Sequence, residues 1–227
     1  MNLTAFDEIN VRICPDDESI TVEERRGDIV SVKLISPGDL IDVFRASAEA
    51  KQFFDTGFLP ENCLSVKIYD HKKDLAIWHP ALYADITYQK TLYEHFPLPR
   101  LVFSFGYTPE GKTISYRLAV IADKTPTPKT KLYEYPFSNV YSHTGICIGA
   151  ANSMPIHKSL RTLATLPNYI LSLPNNDHMF NPKYNKLGLG YRELLDHLRD
   201  KPPEYYYEKV LVPRNGTLQD FIDNKIR

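Results

Sequence analysis

Glycine is scarce in this 227-residue chain, 10 residues against 17 prolines, and none of it builds a phosphate loop. No G-x-x-x-x-G-K run occurs. Gly188-Leu189-Gly190 lacks a third glycine and follows no strand-like run, so nucleotide binding is not expected. Cysteine is also sparse. Cys14, Cys63 and Cys147 form an odd, scattered set with no Cys-x-x-Cys, which excludes a zinc site of the usual spacing and a disulfide framework. His71, His79, His95, His157 and His197 are spread out, with no two at ligand spacing on one predicted element, so no metal site is expected. Excess charge of either sign is missing too. The 27 basic and 28 acidic side chains leave a net charge of −1, which gives no reason to expect nucleic acid or an anionic membrane as a partner. No apolar run approaches the roughly 18–20 residues of a membrane span. The opening MNLTAFDEINVR lacks the charged-then-apolar pattern of a signal peptide, so a cytoplasmic location is the expectation.

Apolar and aromatic residues are plentiful. Hydrophobic side chains make up 43% of the chain, including 15 Tyr and 11 Phe, enough for a substantial core. Segments 9–14 and 29–35 alternate apolar and polar residues and predict half-buried strands. Ser36-Pro37 reads as a helix start whose apolar face runs from Leu40 to about Phe54, with Gly57 beyond it. Strands are predicted at 64–69, 75–78 and 84–88, then a hairpin of 101–107 and 113–122 around Thr108-Pro109-Glu110-Gly111. These predict a four-stranded antiparallel sheet drawn mainly from residues 64–122. Residues 124–138 carry three prolines and no clear period, and read as an irregular but packed stretch. Helical spacing returns at 160–171, broken or kinked at Pro167, and at 191–198. Residues 205–212 read as extended, and Thr217 as the cap of a last helix to Ile226. With no repeat and no linker, the expectation is a single α+β domain over 1–227.

Cys147 is the one cysteine in a setting that looks built. Ile146 and Ile148 flank it, Gly145 and Gly149 bracket those, and an irregular polar turn precedes it. Glycine beside a thiol lets a large partner approach closely. Asn139 lies eight positions upstream. A thiolate that attacks an activated acyl group, with a side-chain amide to steady the oxyanion, is a sensible pair for thioester chemistry. Spacing alone favours the plainer reading, a buried half-apolar strand cysteine and an asparagine that caps a turn.

The stretch NVYSHTGICIG resembles the active-site segment of ubiquitin-conjugating enzymes, in which His-Pro-Asn, a glycine turn and Ile-Cys-Leu follow one another. Asn139 falls on the motif asparagine and Cys147 on the catalytic cysteine. Leu171 to Pro182, with its Pro174-Asn175, resembles the loop after the family's second helix. Phe58-Leu59-Pro60, Trp78-His79-Pro80, 98–103 and 136–140 are similar to bacterial members of this superfamily, the PRTRC system protein B group. The resemblance spans roughly residues 55–185. It implies a UBC-like core there, an antiparallel meander with flanking helices and an irregular segment before the cysteine, with 1–54 as N-terminal strands and helix and 186–227 as a C-terminal extension. Phe137 and Ser138 replace the family's histidine and proline, which leaves the geometry of Asn139 open.

By the same resemblance, Cys147 would carry a ubiquitin-like protein's C-terminus as a thioester and pass it to an amine on a protein acceptor. No cofactor would be needed, since a separate adenylating (activating) enzyme has already consumed ATP. A deconjugating metalloprotease would be a neighbour in the gene cluster, in a setting such as phage defence or a mobile element. Asp177 and His178 fall on the gateway loop, where an acidic residue or an imidazole would orient or deprotonate the incoming lysine; a solvated loop with an Asx turn is the competing reading. His143 lies in the turn before the cysteine. A non-catalytic module of the same fold, holding the ubiquitin-like protein or its activating enzyme, is the main alternative. A cysteine hydrolase is disfavoured because Cys147 does not open a helix, the position that would activate it.

Overall fold

The computed structural model describes residues 8–14, 19–50, 56–80, 82–149, 154–157 and 159–226. The chain divides into two compact units, Met1–Asp55 and Thr56–Arg227. The first holds an antiparallel meander, β1 (Glu8–Cys14), β2 (Ser19–Arg26) and β3 (Ile29–Ile35), followed by helix α1 (Pro37–Ala50). Sequence reading finds β1 and β3 but not β2, whose alternation stops at Val22 and runs into Glu23-Glu24-Arg25-Arg26. Pairing on both sides supplies what the pattern lacks: Val22 sits between Val11 and Lys33, and Lys33 Nζ donates to Glu24 at 3.0 Å. Gly27, at φ +57°, opens the two-residue turn between β2 and β3, where an L side chain would be strained. Helix α1 starts as its sequence demands. Asp39 N–H donates to Ser36 Oγ while the Asp39 carboxylate accepts from the Ser36 N–H, a reciprocal cap. That hydrogen bonding holds the Asp39 carboxyl below its usual pKa. The expected end of this helix near Phe54 lies outside the described residues.

The second unit is α+β. Its strands are β4 (Cys63–Ile68), β5 (Lys73–His79), β6 (Tyr83–Tyr88), β7 (Thr91–Pro97), β8 (Arg100–Tyr107), β9 (Thr113–Ile121), β10 (Lys131–Tyr133) and β11 (Pro213–Thr217). Six of them form an antiparallel sheet in the order β11-β10-β9-β8-β5-β4, and β6 and β7 form a separate hairpin between β5 and β8. The sheet is therefore wider than the four strands expected from 64–122, because the short β10 and the distant β11 add to its edge. Strand β7 escapes the sequence pattern for a local reason. His95 takes φ +47° and its N–H donates to Asp85, so Tyr93 and Phe96 are buried three apart, not two.

Both faces of the sheet are covered, which is why all eight residues of β8 are buried. On one face Leu75, Ile77, Leu101, Phe103, Phe105 and Leu118 pack in one apolar core with helices α2 (Leu166–Leu171) and α3 (Tyr191–Leu198). On the other, Val102, Ala119, Ile121 and Leu132 meet Leu218 and Phe221 of helix α4 (Leu218–Ile222). The expected break at Pro167 takes the form of a change of helix type. A 3-10 turn runs Leu160–Thr165, and Pro167 lies in the first turn of α2, where its missing N–H costs no hydrogen bond. Of the expected extended stretch 205–212, only its end is extended, where Leu211 bridges Asn185. Tyr206 and Val210 are fully buried, a spacing that suits a helical turn, and Tyr206–Val210 form a π-helical one with Leu211 N–H donating to Tyr206 O. Thr217 caps α4 as its sequence predicts, though that helix ends at Ile222. Among the described residues no helix is long and apolar enough to cross a membrane.

Candidate functional site

The Cys147 segment folds as a small hairpin alongside the middle of β9. Cys147 N–H donates to Asn139 O at 2.8 Å, Tyr141 N–H to Gly145 O at 2.8 Å, and Thr144 N–H to Tyr141 O at 2.9 Å. Thr144, at φ +72°, makes the reversal. Two bonds fasten the hairpin to β9: Leu118 N–H to Thr144 O and Ile146 N–H to Tyr116 O, both 2.9 Å. Val140 bridges Ile146, and both are buried in the core. Antiparallel pairing then puts residues 139, 141, 145 and 147 on the opposite, outward face. Residues eight apart in sequence thereby become cross-strand neighbours.

The outward face brings in a residue that sequence reading did not single out. Gly145 has no side chain, and a Cβ there would lie 3.6 Å from Tyr141 Cδ2 and 2.7 Å from His143 Nε2. The rings of Tyr141 and His143 stack with centroids 5.1 Å apart. The Tyr141 pKa is pushed up, chiefly by the nearby Cys147 sulfur. The signal was present: Tyr141 is two residues past Asn139 and faces a glycine. Cys147 itself is half-buried, as is Cys63. Burial pushes the Cys63 thiol pKa up, which leaves less thiolate there at neutral pH.

Asn139 adopts φ +65°, a conformation asparagine tolerates better than most residues. Its amide Nδ2 donates to Pro174 O at 3.2 Å and to Asn175 Oδ1 at 3.4 Å. Asn175 is buried and fully used. Its Oδ1 also accepts from Ser138 Oγ at 3.1 Å, its Nδ2 donates to Leu173 O and Thr87 O, and its backbone bridges Thr87 and Gln89 at the end of β6. Phe137 and Ser138, which stand where the resembled motif has histidine and proline, build the support beneath. Phe137 packs against Phe96, Tyr135, Tyr191 and Tyr206 with centroids 5.3–6.3 Å apart. Ser138 Oγ also lies 3.4 Å from Tyr191 Oη, which completes its hydrogen bonding.

Asp177 and His178 lie on the exposed loop after Asn175. The Asp177 carboxylate accepts from Tyr88 Oη at 2.6 Å and Gln89 Nε2 at 3.3 Å, and its charge raises the Tyr88 pKa, chiefly through that hydrogen bond. His178 N–H donates to Asn176 Oδ1 at 2.7 Å, an Asx turn. Among the described residues no bond joins the Asp177 and His178 side chains, so the two do not act as a hydrogen-bonded dyad in this structure.

The sequence model of prokaryotic E2 family D matches residues 39–213, more than three quarters of the chain. The chain belongs to prokaryotic E2 family D. Membership gives it an E2-like role in ubiquitin-like conjugation, with a ubiquitin-like protein and an activating enzyme as the general partners of such a role. The match begins in α1 and ends at the first residue of β11, so it includes every candidate site residue. No curated protein and no solved structure matches the chain.

Proposed function

We propose that this family D member is a ubiquitin-like protein-conjugating transferase of UBC-like fold, with Cys147 as its acceptor thiol. The reading rests chiefly on one observation: in a chain of an E2 family, Asn139 and Cys147 pair across a surface hairpin whose outward face lacks a side chain at Gly145. In the proposed reaction the Cys147 thiolate attacks the thioester that joins the modifier to its activating enzyme. The enzyme's thiolate leaves, and the modifier's C-terminal acyl group moves to Cys147. An acceptor amine then attacks that carbonyl, the tetrahedral intermediate collapses, and Cys147 leaves as thiolate while the amine gives up its proton. Asn139 and the Tyr141 hydroxyl are the donors on hand for the oxyanion, and Asp177 or His178 the groups on hand for the amine proton. A deconjugating metalloprotease from the same gene cluster would reverse the product.

A second reading has its own support. The Asn139 amide and the Asp177 carboxylate are already engaged in holding loops, as they would be in a binding module without catalysis. The charging reaction separates the two. Incubated with its modifier, activating enzyme and ATP, the chain should form an adduct cleaved by thiols, and Cys147→Ser should form a thiol-resistant ester. Absence of any adduct with an active activating enzyme, or a thiol-labile adduct in Cys147→Ser, overturns the assignment.

A further inference from the structure

We propose that Arg214 is a positioning residue for Cys147, supplied from β11 one residue past the end of the family match. Its guanidinium spans two elements. Nη1 donates to Glu134 Oε2 at 3.1 Å, and Nη2 donates to the carbonyl of Ser142, at the tip of the hairpin that carries Cys147. Both charged side chains are largely buried, at 11% and 20% exposure, so the pair is shielded from solvent screening. Their backbones are fixed by the ladder between β10 and β11, where Leu132 faces Arg214 and Glu134 N–H donates to Val212 O.

The tip needs such a tie. Tyr141, Ser142 and His143 are exposed, and the buried Thr144 hydroxyl has no partner among the described residues. Arg214, Glu134, Tyr141 and Thr144 line one small pocket of about 10 Å³, room for no more than a single water. Holding the Ser142 carbonyl fixes the tip of the hairpin, in which Tyr141 N–H donates to Gly145 O two residues before Cys147 and Cys147 N–H donates to Asn139 O. A planar fork can hold a carboxylate and a carbonyl at once; the single ammonium of lysine cannot do so in the same geometry.

The inference rests on Cys147 being the reactive thiol, but its test needs no modifier. In full-length protein carrying Cys14→Ser and Cys63→Ser, the rate of Cys147 alkylation by iodoacetamide is measured across pH. The variants are Arg214→Met, Arg214→Lys, Tyr141→Phe and the Arg214→Met/Tyr141→Phe pair, with circular dichroism reporting the fold. Arg214→Met and Arg214→Lys should each change the alkylation rate about two- to tenfold, the low end of coupling within one hydrogen-bonded network. In the Tyr141→Phe background Arg214→Met should add nothing further. A folded Arg214→Met or Arg214→Lys protein with the parental rate and pH profile overturns the proposal, as does an additive effect in the pair. Should Arg214→Met not fold, Arg214→Lys decides alone. A failure here leaves the charging result for Cys147 untouched, so the two ideas fall separately.

Discussion

Replacing Asn139 separates an oxyanion donor from a loop brace, because backbone and amide can be changed independently. At φ +65° an alanine pays a left-handed backbone penalty of about 1–2 kcal/mol. Losing the amide removes two hydrogen bonds that are long, 3.2 and 3.4 Å, so each is set near the lower end of the usual range, about 0.5 kcal/mol. Asn139→Ala should therefore cost roughly 2–3 kcal/mol, a drop in melting temperature of about 4–12 °C for a unit this size. Asn139→Gly loses the same bonds but accepts the backbone. After about 0.4–1 kcal/mol of extra unfolded-state entropy it should remain roughly 0.5–1 kcal/mol more stable than the alanine variant. Catalysis should ignore that difference. If the amide steadies the oxyanion, both variants should charge at Cys147, and both should discharge to free lysine about 10²–10³ slower, measured well below either melt. A glycine variant that discharges at the parental rate would remove the amide from the mechanism. Discharge rates that follow the order of stability would make Asn139 a brace only, and an alanine variant melting at or above the glycine one would refute the backbone argument.

Three further outcomes are expected. Asp177→Ala and His178→Ala should slow discharge about 10²–10⁴-fold where either acts as base, with the deficit shrinking as pH rises and lysine deprotonates unaided; equal rates at every pH would make both residues structural. Burial lowers the pKa of His79 and His157, so the unfolded chain takes up protons first as pH falls. The stability these neutral rings contribute is whole above about pH 6.5 and declines below it, which urea melts at pH 7.5 and 5.5 would detect, and His79→Phe, if it folds, should flatten part of that slope. Gly111 sits at φ +90° with a would-be Cβ 2.2 Å from the His157 carbonyl oxygen, so Gly111→Ala must move backbone and should destabilise by more than about 2 kcal/mol in denaturant unfolding.

Elements whose burial matches a local period were legible in the sequence. The core hairpin of β8 and β9, the Ser36 cap and the buried Leu194, Leu195 and Leu198 of α3 all follow from periodicity and capping alone. The misses arise where long-range pairing overrides the local pattern. β2 and β11 exist through their neighbours, β7 hides its alternation behind His95, and the Tyr206 turn is set by a hydroxyl that bonds Pro97 O, 109 residues away. The site divides the same way. The spacing of Asn139 and Cys147 is visible in the chain, whereas the ties of Asn175 to Thr87 and of Arg214 to Ser142 join distant segments that no local motif relates.

Helix α4 also bears on how the protein would behave if shortened. A chain cut at residue 213, where the family match stops, would lose Leu218 and Phe221 and bare Val102, Ala119, Ile121 and Leu132 as one contiguous apolar surface. It would also turn the three-residue β10 into an open edge, with nothing beyond it to block pairing with another chain. Such a fragment would keep Asn139, Cys147, Asp177 and His178 but lose Arg214, and its bared apolar face would favour association with other chains. The segment outside the matched region thus covers an apolar face that the matched region alone leaves bare.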